Sequence, residues 1–273
     1  MGRDHGFKRR PVAKYEVNAI YARARSKPEN LVQQLPAHRK VSATQGWRWF
    51  INALQIVRQQ PLAWGAMTLF YLLILGALSV IPVFGDLVSA LITPLFAAGF
   101  VLAADKSERG NKLELSDLFT AFGQIPGPLL LLGAMISGLM LILIVFAVAM
   151  GVSGALIGGL FGKALGTTAS VTASGGGVVS LGVLALIGGV LVGMAYWFAP
   201  TLITLNCITP WQGLCLSLKA CLSNWLPLLV VSLVLGVSCL VALLPLGLGL
   251  LLWIPVAFVT VYTGWRDVFA ERQ

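Results

Sequence analysis

Residues 62–84 read LAWGAMTLFYLLILGALSVIPVF, a run of 23 positions without one Lys, Arg, His, Asp or Glu. A helix needs about 20 largely apolar residues to cross the hydrocarbon core of a bilayer. The run is long enough, and Pro61 stands just ahead of it, where a missing N–H costs a helix nothing. Working outward by length and continuous apolarity rather than periodicity, five more runs meet the same test. The expected spans are therefore about 62–84, 87–104, 128–152, 177–205, 227–244 and 248–262. A tight turn at Gly85–Asp86 is expected between the first two.

The whole chain agrees with this. Of 273 residues, 58% are hydrophobic and 11% charged, and the mean hydropathy is +0.87. Soluble domains carry about 25% charged residues. A chain this apolar has too little polar surface to face water, so the expected fold class is an all-α polytopic membrane protein with six transmembrane helices.

The few charges are unevenly placed. Residues 1–46 hold ten basic side chains against Asp4, Glu16 and Glu29, a local net of +7. This stretch has no apolar run of signal-peptide length, so no cleavable export signal is expected. Residues 1–43 are expected to form a basic, disordered cytoplasmic tail, and residues 44–270 the membrane domain. Counting Lys and Arg by loop puts 18 on one side of six spans and only Lys163 on the other. Basic loops stay in the cytoplasm, which predicts a multi-pass membrane protein with both termini cytoplasmic. A basic segment next to a membrane attracts anionic lipid headgroups, at about 1 kcal/mol per residue. With no nucleic-acid recognition motif in the tail, lipid is the expected partner and nucleic acid is not.

Three segments on the basic side look alike. GWRWFINALQIVRQQP places Trp47, Phe50, Ile51, Leu54 and Val57 on one helical face. LSDLFTAFGQIP places Leu115, Leu118, Phe119 and Phe122 in register, and PWQGLCLSLKACLSNWLP does so with Trp211, Leu214, Cys215, Leu218 and Leu222. Each ends at a proline, namely Pro61, Pro126 with Pro128, or Pro227. Amphipathic segments of this kind lie in the headgroup layer and turn down into the bilayer. The returning spans carry Pro94, Pro200 and Pro255 inside them, where proline removes one hydrogen bond and bends the axis. The expected architecture is three parallel repeats, each an interfacial amphipathic helix followed by a transmembrane hairpin.

Gly154, Gly158, Gly162 and Gly166 recur every four residues, and Ala185, Gly189 and Gly193 form a second small-residue stripe. Such stripes let helices approach closely, either within the chain's own bundle or as a self-association surface or a movable gate, and a homo-oligomer or a partner membrane protein is the further partner expected. Beyond Gly166 a loop on the outer side is expected.

Chemistry-bearing groups are missing from the spans. No Lys, Arg, His, Asp or Glu lies deep in any of them, whereas ion-coupled carriers keep such groups at membrane depth. The two histidines, His5 and His38, fall in the tail. Cys207, Cys215, Cys221 and Cys239 lack zinc-ligand spacing and are expected as small apolar residues. Asp105, Glu108, Glu114 and Asp117, interleaved with Lys106, Arg109 and Lys112, are expected as a solvated loop, with Asp117 suited to a helix start. Trp265, Arg266 and Asp267 are expected as interfacial anchors. No catalytic, cofactor-binding or metal-binding residue is assigned, and no enzymatic activity is expected.

The runs GWRWFINALQIVRQQPLAW, LITPLFAAGFVLAADKSERGNKLELSDLFTAF, WFAPTLI and CLSNWLPLL resemble a family of uncharacterised bacterial polytopic inner-membrane proteins, over roughly residues 44–270. The layout is also similar to the membrane domain of some glycerophosphodiester phosphodiesterases, whose catalytic domain this sequence lacks. The resemblance implies location and span number and transfers no functional residue. The expected function is membrane organisation or partner binding. The alternative is a permease or channel for a small neutral or amphipathic solute along the repeat axis.

Overall fold

The structure, a computed structural model, describes residues 36–164, 183 and 185–269. Most of the expected tail, the outer segment beyond Ala164 and the stripe position Gly166 lie outside the described residues. Within them the chain is all helix: α1 Thr44–Gln59, α2 Pro61–Ser79, α3 Phe84–Glu108, a 3-10 turn Leu115–Phe119 running into α4 Thr120–Gln124, and α5 Pro126–Ala164. After these come α6 over 185–197, α7 Ala199–Asn206, α8 Pro210–Ser223, α9 Trp225–Leu243 and α10 Leu250–Phe269.

Five helical stretches are long and apolar enough to cross a membrane: Pro61–Ser79, Phe84–Glu108, Pro126–Ala149, Ala185–Asn206 and Trp225–Leu243. The sixth expected span, 248–262, falls in α10, which is not among the five. Its apolar first half runs into Tyr262, Thr263, Arg266 and Asp267, which dilute the hydrophobic run. The expected turn at Gly85–Asp86 also moves. Helix α2 stops at Ser79, and Pro82 and Val83 make the reversal before α3 begins. Val83 takes a φ of 63°, an uncommon and strained backbone for a β-branched residue. Gly85 closes the turn, because a Cβ there would lie 1.8 Å from the Leu78 carbonyl oxygen. The reversal between α9 and α10 is built alike: Pro245 precedes Leu246 at φ 54°, and Gly249 packs on the Ala242 carbonyl.

The returning helices lie inside and the others outside. Of the apolar window in α3, 56% is buried, and 44% in Ala185–Asn206, against 17–22% in α2, α5 and α9. In α3 burial is continuous from Pro94 to Val101; in the fourth span it runs from Phe198 to Thr204. In α10, Pro255, Val256, Val259, Thr260 and Tyr262 to Gly264 are buried. Each proline thus marks where an inner helix enters the packed half of the bundle. These inner helices touch one another pairwise. Three apolar clusters fill the space around them, one where α1, α2, α3 and α10 meet, a second among α1, α7, α8, α9 and α10, and a third among α3, α5, α7 and α8.

The amphipathic segments bury a face that only partly overlaps the one picked out by their apolar spacing. Trp49, Ala53, Ile56 and Val57 of α1 are buried, while Trp47 is half exposed and Phe50, Ile51 and Leu54 are partly covered. In α8 the buried side is Gly213, Leu214, Leu216, Ser217, Ala220 and Cys221, with Trp211 and Leu222 exposed. Periodicity separates apolar from polar positions, but beside a membrane two apolar faces exist, one for protein and one for lipid. The middle segment is shorter than a full interfacial helix, being the 3-10 turn plus α4. Its start is a capping box in which Asp117 accepts from the Glu114 backbone N–H at 2.7 Å.

Candidate functional site

Helix ends gather at one end of the bundle, and the polar side chains there form a connected layer. Gln60, between α1 and α2, donates to the Asn111 carbonyl and accepts from the Leu113 N–H, both at 2.9 Å, and so ties the first helix junction to the loop after α3. Trp265 Nε1 of α10 donates to Asn206 Oδ1 at the end of α7, at 2.9 Å. Trp49 Nε1 of α1 donates to Asp267 Oδ2 at 2.9 Å. Asp267, expected as an interfacial anchor, thus also joins the first amphipathic helix to the last inner helix.

At the centre of this layer α3 and α10 are clasped. The Tyr262 hydroxyl lies 2.7 Å from Glu108 Oε2 and 3.2 Å from Asp105 Oδ1. Arg266 pairs with Glu108, and Arg109 with Asp105 at 2.6 Å. Lys106 reaches Asp117 at 2.9 Å, bracing α3 against the 3-10 turn. This corrects the expectation of a plain solvated loop: Asp105 and Glu108 hold two inner helices together across about 150 positions of sequence. No local pattern could have shown it, because the partners Tyr262 and Arg266 lie on a helix far along the chain.

A second device holds the chain upstream of α1. Asn224, 2% exposed, accepts from the Val41 N–H at 2.8 Å and donates to the Arg39 carbonyl at 3.0 Å. The Arg39 N–H donates to Val268 O at 3.0 Å, its side chain bonds the Asp267 carbonyl, and His38 meets Ser223 Oγ at 3.3 Å. Residues 38–41, assigned from sequence to the tail, are a strap laid across the ends of α8, α9 and α10. The strap sets where the basic segment leaves the bundle.

The cysteines carry no built site. Cys221 is buried beneath α8, and burial pushes its thiol up to about 12, partly opposed by a hydrogen bond with Ser217. Burial also raises Cys207. Both are thereby kept as neutral thiols, poor nucleophiles at ordinary pH.

Sequence comparison adds an independent line. The chain is similar to a probable inner membrane protein of Burkholderia thailandensis, 30% identical over an alignment of 257 positions that covers 86% of this chain and 94% of the relative. The chain belongs to that protein's family. No family model matches it, and no solved structure does. The likeness of layout to the phosphodiesterase membrane domain gains no support from either result. Relative and helices agree on a membrane protein with several spanning-capable helices. Neither assigns a reaction.

Proposed function

We propose that this protein is a non-enzymatic organiser of the bacterial inner membrane. It is a bundle of six spans in three parallel repeats, with both termini in the cytoplasm. Its basic tail engages anionic lipid headgroups, and its outer helices face lipid or a partner membrane protein. The observation that carries this reading is the close packing around the inner helices. Phe96, Phe100, Phe198, Leu202, Ile203 and Val259 are all at most 1% exposed. Phe100 stacks on Phe258 at 4.7 Å between centroids, with Tyr71 edge-on to both. Inner helices packed in this way against their neighbours and clasped at the basic end suit a scaffold better than a conduit.

The sixth span and the repeat rest on further features. Helix α10 has 20 residues, its proline sits where Pro94 and Pro200 sit in the other inner helices, and its turn from α9 copies the turn from α2 to α3. Orientation rests on the basic residues that cluster at the clasped end.

One feature favours the permease reading. The inner helix of the second repeat breaks at Phe198, and beside the break the Tyr196 and Thr201 hydroxyls are buried without a hydrogen-bond partner among the described residues. Proteoliposomes separate the two readings. The organiser predicts glycerol uptake no faster than in empty vesicles, and a flux that Tyr196→Phe abolishes would replace it with the permease. For the tail, the test is deletion of residues 1–35, which spares the strap. In nanodiscs of phosphatidylglycerol and phosphatidylethanolamine, the deletion should cut phosphatidylglycerol enrichment, and added salt should do the same to the full chain. Enrichment unchanged by the deletion would remove the tail from the account.

A further inference from the structure

We infer that the groove between α1 and α9 is a binding site for one acyl chain of an anionic phospholipid, with its headgroup at Arg48. The inference rests on the membrane-embedded reading but not on the tail. The groove, about 410 Å³, lies between Trp47 and Phe50 of α1 and Leu233, Val237 and Val241 of α9. From Leu233 to Val241 it follows α9 for about 12 Å, at about 1.5 Å per residue. Its walls are apolar. The single hydroxyl, that of Ser238, already accepts from Trp253 Nε1 and donates to the Leu235 carbonyl, both at 3.0 Å. Apart from the Trp47 indole N–H at its rim, the groove has no hydrogen-bonding group left to offer, and the occupant that suits it along α9 is hydrocarbon.

A second copy of the chain is the competing occupant, and the lining argues against it. Helices that pair in membranes approach through small residues. This wall is Trp, Phe, Leu and Val, which hold a partner backbone away. Charge then selects the lipid. The groove begins beneath Trp47 near the start of α1, where Gly46 packs directly on the Pro227 carbonyl. Arg48, the next residue after Trp47, is exposed and has no ion pair among the described residues. Trp47, itself half exposed, suits the depth of the glycerol backbone, where indole rings favour the boundary. A phosphate at Arg48 and an acyl chain running down past Val237 match the order of groups in a phospholipid.

The test uses the full chain reconstituted with phosphatidylglycerol and phosphatidylethanolamine, extracted, delipidated stepwise and read by native mass spectrometry. One phosphatidylglycerol should persist per chain. Val237→Trp, at a lipid-facing position, fills the slot and should lower that occupancy about tenfold. Leu240→Trp, equally exposed but outside the groove, should leave it intact. Arg48→Gln should keep a lipid bound but reduce the preference for phosphatidylglycerol about fivefold. The chain lacking residues 1–35 should retain the persistent lipid even where its bulk enrichment falls, which separates this site from the tail. Equal retention in Val237→Trp and wild type would overturn the site, as would a second copy of the chain in place of the lipid. An unchanged headgroup preference in Arg48→Gln would overturn the anionic assignment.

Discussion

Two of the inner helices pass through their proline unbroken, and the third does not. Helices α3 and α10 run continuously through Pro94 and Pro255, whereas α6 and α7 are separated at Phe198, two residues before Pro200. All three prolines lack an N–H and free the carbonyl four residues back. What differs is the neighbour. Next to Pro94, Gly133 of α5 lies flat against α3, so close that a Cβ would fall 2.6 Å from the Leu91 oxygen and 3.1 Å from the freed Ala90 oxygen. Backbone covers the gap and the helix stays whole. Beside Pro200, Ser217 of α8 reaches in instead. The Phe198 N–H donates to Ser217 Oγ at 3.0 Å, and Ser217 Oγ donates to the Met194 carbonyl at 2.8 Å. Residues 194 and 198 are four apart, so the hydroxyl stands in the place of one rung of the helical ladder, a known cause of sharp bends. A proline weakens a membrane helix, and the group packed against it decides between a bend and a break.

The largest effect expected on this comparison comes from Gly133→Ala. The methyl has no room against the Leu91 and Ala90 backbone, so α5 must move off α3 at a cost of about 3 kcal/mol, the upper range for overpacking. Thermal or SDS unfolding of the purified protein measures it. A loss no greater than that from Gly138→Ala, where a Cβ meets nothing within 4 Å, would show that the close approach does not support the kink.

Ser217→Ala should follow, at about 2 kcal/mol. It leaves the Phe198 N–H and the Met194 carbonyl to find each other or go without, and an unpaired buried group costs about 1–3 kcal/mol. The matching change at the unbroken kink, Thr93→Val, removes only a local bond to the Ser89 carbonyl and should be nearly neutral. Equal losses would mean that Ser217 does not hold the break open.

These contacts mark where sequence reading stops. The length of each apolar run places the helices, because crossing a bilayer is a local property. That an inner helix breaks next to Pro200 while α3 stays whole through Pro94 is not legible, since Ser217 looks like one polar residue on an amphipathic helix. The inward faces of α1 and α8 escape for a related reason, as lipid and protein interior are equally apolar solvents. The clasp is invisible because Glu108 and Tyr262 are 154 positions apart. The groove beside Trp47 is likewise made by two helices from opposite ends of the chain.

The smallest effect concerns how the unbroken pair is joined compared with the broken helix. Helices α3 and α10 share the Tyr262, Glu108 and Arg266 contacts, while α7 meets α10 in this layer through the Asn206–Trp265 bond. Tyr262→Phe removes the hydroxyl and keeps the ring stacked on Trp265, 6.0 Å away. Hydrogen bonds to charged groups contribute about 1.5–3 kcal/mol when buried, but Glu108 is about a third exposed, so about 1 kcal/mol is expected. The decisive measurement is a double-mutant cycle with Glu108→Gln. If the clasp works as one unit, the two losses fall short of adding, because either change alone disconnects the tyrosine from the carboxylate that Arg266 also holds. Additive losses would reduce the clasp to two independent surface contacts, leaving the aromatic stack of Phe100 and Phe258 as what holds α3 to α10.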